Sequence, residues 1–110
     1  METVFYMPTS FLNFTPHKIV LNNGTSYDSI GVARVSNNFS SFDANGVCDV
    51  VYGDITGLPT PKDSVLYIVS ALVLAAAKAA GRTDCVAPAT GHPDCVRKDG
   101  FIVSVPGFVR

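Results

Sequence analysis

The amino-acid sequence predicts an α+β fold: a small curled antiparallel or mixed β-sheet of about six strands packed around one apolar α-helix. Three observations point there. Ala71 to Ala80 contain strong helix formers and neither proline nor glycine, with Ser70 before them and Gly81 after. Two hairpin signals, Asn22-Asn23-Gly24 and Asp99-Gly100, sit between β-like runs. One strand-helix-strand unit, entered through the apolar run Val65 to Val69, joins those hairpins into a sheet. At 110 residues the chain reads as a single domain, 1–110, with one core.

Thr3 to Met7 and Phe11 to Phe14 are aromatic-rich segments on either side of Pro8, which reads as extended chain. Thr15-Pro16-His17 turns, because proline fixes its own φ and pushes Thr15 out of the helical region. Lys18 to Leu21 continue as a strand into the Asn22-Asn23-Gly24 hairpin, and the return strand is expected near Ile30 to Ser36. Alternation there is imperfect, which puts Arg34 either at an edge or in a polar pocket. Ser36 to Gly46 read as a polar loop whose Phe39 and Phe42 either tuck back or grip a partner. Val47 to Ile55 resume β character, with Gly53 marking a bulge. The proline-bearing residues 56–61 form a rigid connection into the Val65 to Val69 strand.

Ser70 is the expected N-cap of the helix, since its hydroxyl can accept from an unpaired first-turn amide. Gly81 supplies the left-handed residue that leaves it. Lys78 is the only polar residue in Ala71 to Ala80, so the helix is apolar all round and calls for burial on most sides. The curl of its own sheet or another subunit would provide that cover. Gly81 to Gly91 then form an exit loop rich in polar groups. Cys95 to Lys98 and Phe101 to Val105 pair around Asp99-Gly100, and Phe108 and Val109 dock after Pro106-Gly107.

Composition narrows the function. Hydrophobic residues make up 47% and charged residues 15% of the chain, against roughly 25% charged in ordinary domains, which favours a homo-oligomer. A net charge of -1 without a basic run speaks against nucleic acid as partner. Residues 65–77, the longest apolar segment, are too short for a membrane span of about 20 residues. The acidic N-terminus METVFYMPTS lacks signal-peptide character, so a cytoplasmic location is expected. Three cysteines, Cys48, Cys85 and Cys95, in no paired spacing suit free thiols in a reducing compartment.

Thr15-Pro16-His17, Ser29 with Ala33-Arg34-Val35, Thr56-Gly57-Leu58-Pro59, Tyr67-Ile68-Val69-Ser70, Gly81-Arg82-Thr83-Asp84, Ala87-Pro88-Ala89-Thr90-Gly91 and Val96-Arg97 follow one another in an order that resembles a family of small tailed-bacteriophage proteins. The order covers about nine tenths of the chain. The resemblance implies a phage or prophage origin, hence the cytoplasm of an infected bacterial cell, more than it implies an activity. Two departures stand out: Ile30 in place of the family's glycine after the serine, and Cys85 and Cys95 in place of ordinary apolar residues.

For chemistry, Arg82, Thr83, Asp84, Thr90 and Gly91 in the exit loop, with Arg34, Arg97 and His17, are the candidate ligand-binding residues. Guanidinium groups match phosphate oxygens, hydroxyls and glycine amides complete such a cradle, and Asp84 can take ribose hydroxyls or orient an arginine. The competing reading makes Arg82 and Asp84 an ion pair at the helix end and Thr90-Gly91 a turn. Cys85, His92 and Cys95 in a C-x6-H-x2-C spacing depart from the close pairs of zinc sites, and neither a metal nor a cofactor is expected. There is no G-x-S-x-G and no H-x-x-x-H, and Ser70, His17 and Asp84 form a triad only on paper. The expected function is therefore a non-enzymatic phage protein that sequesters a small anionic host immune signal, such as a cyclic nucleotide or an ADP-ribose derivative. The alternatives are an enzyme that degrades such a signal, with His17 or His92 as general acid or base, and a protein-interaction or minor virion protein.

Overall fold

The computed structural model describes residues 9–110; the expected strand at Thr3 to Met7 lies outside them. Among the described residues the class is α+β with a single helix, and the strands divide among one four-stranded sheet and three two-stranded ribbons. The central sheet has the order β1-β6-β7-β10, formed by β1 (Ser10–Asn13), β6 (Val65–Ile68), β7 (Cys85–Pro88) and β10 (Phe108–Val109). β1 and β7 both run parallel to β6, and β10 runs antiparallel to β7. The parallel β6 and β7 require a crossover, and α1 (Ala71–Ala79) supplies it.

Period-two alternation divides the core between the two faces of this sheet. Tyr67, Val69, Cys85 and Ala87 face α1 and pack on Val73, Leu74 and Ala77. Ile68 and Val86 point the other way, onto Ile19 and Val105, with Phe11, Tyr27 and Phe108 at the margin. The three rings stack and tilt on one another at centroid distances of 5.1 to 5.9 Å.

The helix begins and ends on the expected residues. Ser70 is extended at φ -66 and ψ 160, and its hydroxyl accepts from the Val73 amide at 3.3 Å. Gly81 leaves at φ +83, where its amide reaches the Lys78 carbonyl. Its burial differs from expectation. Val73, Leu74, Ala76 and Ala77 are buried, whereas Leu72, Ala75, Lys78 and Ala79 are exposed. The sheet covers one side of α1 and does not curl around it.

The ribbons show what turn chemistry decides. β2 (Ile19–Val20) meets β3 (Ser26–Tyr27) across a turn in which Gly24 sits at φ +91. The expected return strand near Ile30 to Ser36 is thus displaced: Thr25 follows the turn directly, and its carbonyl accepts from the Leu21 amide at 2.7 Å. β4 (Arg34–Phe39) instead pairs with β5 (Val50–Thr56). Asn37 and Asn38, poor strand formers, are held in the ladder by Tyr52 and Val51 opposite them, so the expected loop at Ser36 starts only after Phe39. Phe39 and Phe42 do not tuck back; they are 66% and 72% exposed. The register slips between Val35 and Asn37 opposite Gly53, where an added Cβ would lie 2.9 Å from the Ser36 carbonyl oxygen. β8 (Val96–Lys98) and β9 (Phe101–Ser104) close through Asp99 and Gly100 at φ +53 and +80, the left-handed pair such a turn needs.

Candidate functional site

Because β1, β6 and β7 are parallel, the chain leaves all three at the same end of the sheet. Three segments emerge there: the turn at residues 14–18, Ser70 with the first turn of α1, and residues 89–91. β9 and the following Val105 close the side. Between them lies a cavity of about 410 Å³, whose polar lining comes from Thr15, His17, Lys18, Ser70, Thr90 and Ser104. Its walls are otherwise apolar, with Ile19, Val20, Ile102, Val103 and Val105. The amino end of α1 is part of the lining through Ser70 and Ala71, so a helix dipole and unpaired first-turn amides lie beside it.

The turn carrying His17 is fixed from below by a side chain that sequence reasoning missed. Asn13, 1% exposed, donates through Nδ2 to the carbonyls of His17 at 2.8 Å and Tyr27 at 2.9 Å. Its Oδ1 accepts from the Thr15 amide at 2.9 Å and from the Thr15 hydroxyl at 2.7 Å. Ser29 adds a 2.6 Å bond from its hydroxyl to the Thr15 carbonyl. All four hydrogen-bonding sites of the Asn13 amide are engaged, which lets a polar group sit in the core and makes the turn rigid. The available signal was the polar residue closing an aromatic strand just before Thr-Pro.

The eight candidate residues do not converge. His17 and Thr90 line the cavity, and Gly91 follows Thr90. Arg97 reaches the same loop, where its Nη2 donates to the Thr90 carbonyl at 2.8 Å and ties β8 to it. Arg34 lines a separate cleft of about 270 Å³ that shares Thr15, Pro16 and Ser70 with the cavity. Arg82, Thr83 and Asp84 lie at the opposite end. The expected exit loop from Gly81 to Gly91 contains β7, and four residues of strand, roughly 13 Å at 3.3 Å each, carry the chain from Asp84 to Ala89.

At that far end Arg82 and Asp84 form the ion pair of the competing reading. Nε and Nη2 of Arg82 donate to Oδ1 and Oδ2 of Asp84, each at 2.8 Å, and Nη2 also donates to the Pro59 carbonyl at 3.0 Å. The guanidinium lies 5.9 Å from the Tyr67 ring centroid. The Arg82 hydrogen bonds hold the Asp84 carboxyl below its ordinary range against the opposing effect of burial. The Asp84 hydrogen bonds raise Arg82 in turn. Burial first, and then the Asp84 charge, push the Cys85 thiol up to about 11. Thr83 lines a shallow cleft beside Lys78 and Arg110.

Two further groupings are not assembled. Asp84 does not line the cavity that holds Ser70 and His17, so the paper triad has no acid. Cys85 packs on the α1 face of the sheet and Cys95 on the other, so the sheet stands between the two thiols. Among the described residues no three His, Cys, Asp or Glu side chains gather as a metal ion would require, and no helix is long and apolar enough to cross a membrane. Comparison with protein-family models, with curated proteins and with solved structures gave no match.

Proposed function

We propose that the chain binds a small anionic, nucleotide-derived ligand in the cavity at the carboxyl ends of β1, β6 and β7, and sequesters it without turnover. The observation that carries this reading is the coincidence of that cavity with the amino end of α1. In sheets of this kind ligands collect where parallel strands end, because the loops diverge there and helix amides attract negative charge. A volume of about 410 Å³ falls in the range of small-molecule sites. Lys18, which water-exposed Asp28 holds only at 4.0 Å, His17 and the hydroxyls of Ser70 and Thr90 are the lining groups that would meet a phosphate, while Ile102 and Val103 offer apolar wall to a base or sugar. Ser70 is engaged as the helix cap, a role compatible with holding an anion and poor for a nucleophile. The phage resemblance supplies the context for sequestration, namely removal of a nucleotide immune signal made by the infected cell.

Calorimetry and thermal melting with cyclic dinucleotides and cyclic ADP-ribose isomers test this. The expected result is stoichiometric binding that Lys18→Glu abolishes and Arg82→Ala preserves, with intact ligand recovered on heating. Product formation at substoichiometric protein would show the degrading enzyme instead. No heat and no melting shift with any of these ligands would sink the reading.

A further inference from the structure

We propose that a second copy of this chain covers the exposed face of α1 with its β4–β5 ribbon, in a two-fold exchange. Both halves of that contact are present on one molecule and neither is covered. On the helix, the 100° step between residues places Leu72, Ala75 and Ala79 on one arc, turned away from the buried Val73, Leu74 and Ala77. Leu72 is 45% exposed, and Ala75 and Ala79 are exposed beside it. A solvated helix face normally carries charge; this one has Lys78 at its border and nothing else polar.

The ribbon provides the complement. Val35 and Ile55 are paired across the ladder and pack against the α1 side of the core. Residues two apart on a strand share a face, so the stripe that starts at Val35 continues through Asn37 and its partner Tyr52 to Phe39 and its partner Val50. Beyond the helix it faces water: Phe39 is 66%, Val50 49% and Tyr52 39% exposed. The same surface that seals α1 at its root is therefore left open at its tip. A two-stranded ribbon is marginal in water without cover on its apolar face.

Charge selects the occupant. From Arg34 to Thr56 the ribbon holds Asp43, Asp49 and Asp54 against one cation, Arg34 at its root, and the part beyond Arg34 is purely acidic. The exposed helix face is bordered by Lys78, which shares a cleft with Arg110. An acidic apolar ribbon and a basic-edged apolar helix face are complementary, and they belong to the same sequence. Val35 and Ile55 hold the root of the ribbon on its own core beside Leu72, and the exposed tip with Phe39 and Val50 extends past them to meet the exposed arc of another copy. A two-fold axis then makes the contact twice, as isologous dimers do.

Sedimentation equilibrium on the wild-type chain and on Phe39→Ser and Leu72→Lys tests the exchange, with circular dichroism to confirm that both exposed substitutions leave the fold intact. The wild type should be dimeric at micromolar concentration, with affinity that falls as salt rises. Each variant should raise Kd by about tenfold or more, since each damages both copies of the contact. Mixing the two variants should restore a heterodimer, because one ribbon-on-helix contact is then unaltered. A monomeric wild type, a dimer with unchanged Kd in both variants, or a mixture that fails to form heterodimer would each overturn the proposal.

Discussion

Replacing Arg82 by alanine should damage the stability of the domain and leave its cavity working, the reverse of what a ligand-binding arginine would do. The loss can be built from the contacts. Three hydrogen bonds disappear, two of them to a carboxylate, and that Asp84 carboxylate is left in a site where its side chain is only 14% exposed. Exposed ion pairs contribute about 0–1 kcal/mol, and orphaning one member of a fully buried pair costs about 3–5 kcal/mol. Arg82 is 22% exposed, so water reaches one side of the pair and the cost falls between those limits, at about 2–3 kcal/mol. For a domain of this size that is a fall in Tm of roughly 10–15 °C. Urea unfolding of Arg82→Ala, Asp84→Ala and the double variant provides the assay, with a coupling of about 1–2 kcal/mol expected from the cycle.

The pH dependence supplies an independent check. Asp84 is shifted down in the folded protein, chiefly by its hydrogen bonds from Arg82. Its stabilising contribution is therefore complete above the unfolded carboxylate value of about 3.9 and disappears as pH falls through the lower folded value. The gap in stability between the wild type and Asp84→Asn should be constant near neutrality and close in acid. If Arg82→Ala instead unfolds at the wild-type urea concentration, and abolishes ligand binding while folded, the structural assignment of this arginine fails.

Asn13→Ala should cost about 2–4 kcal/mol, because it removes three bonds that pin the Thr15 to His17 turn and a fourth to the Tyr27 carbonyl, and should weaken ligand binding in the cavity as well; chemical denaturation and calorimetry on the same preparation read both. Ser70→Ala removes the cap bond to Val73 and should lower stability by about 1 kcal/mol in urea, while Ser70→Asp, which caps equally well but adds negative charge at the cavity, should keep stability and lose the anion. Cys85, buried and with its thiol pushed up to about 11, should stay unmodified by a thiol reagent at pH 8 under native conditions and react on unfolding, as followed by mass spectrometry; native labelling at Cys85 matching that at Cys48 and Cys95 would contradict its burial.

Local chemistry made parts of this fold readable and left others hidden. The helix was legible from Ser70 to Gly81 because a cap, a run of good formers and a left-handed exit each act within one turn of chain. Asn22 to Gly24 and Asp99-Gly100 were legible for the same reason. β3 was not, since two residues, Ser26 and Tyr27, have no periodicity to read, and their pairing depends on where the turn ends. β7 was missed within the exit loop because Cys85, Val86 and Ala87 are buried on both sides of the sheet, which erases alternation, and Pro88 looks like a loop residue. That one omission misplaced three of the eight candidate residues, folding Arg82, Thr83 and Asp84 onto Thr90 when a strand separates them. Alanine also hid the exposed face of α1, because it is equally at home in a core and on a surface.

The short motifs between Thr15 and Arg97 sort into two clasps at opposite ends of the sheet. At the amino end of β7, the Tyr67 hydroxyl donates to the Thr60 carbonyl, Arg82 donates to the Pro59 carbonyl and to Asp84, and the guanidinium faces the Tyr67 ring. Three separated motifs, Thr56 to Pro59, Tyr67 to Ser70 and Gly81 to Asp84, are thereby bound into one rigid corner. Gly57 belongs to the same corner, with φ +80 and a site where a Cβ would meet the Val32 carbonyl oxygen. At the carboxyl end, Ser29 holds Thr15, the Ala33 amide holds the Phe14 carbonyl, and Arg97 holds Thr90. The two clasps differ in what they leave over. The first consumes its charged groups internally, since Arg82 and Asp84 satisfy each other. The second is made mostly through backbone atoms and leaves His17, Lys18 and the Ser70 and Thr90 side chains on the cavity wall. Recognition needs side chains whose hydrogen-bonding capacity is not already used by the fold, and the carboxyl end retains them around a cavity. Substitutions that separate ligand binding from folding should therefore be found at Lys18, His17 and Thr90, and not at Arg82, whose guanidinium is held by Asp84 and Pro59 at the far end.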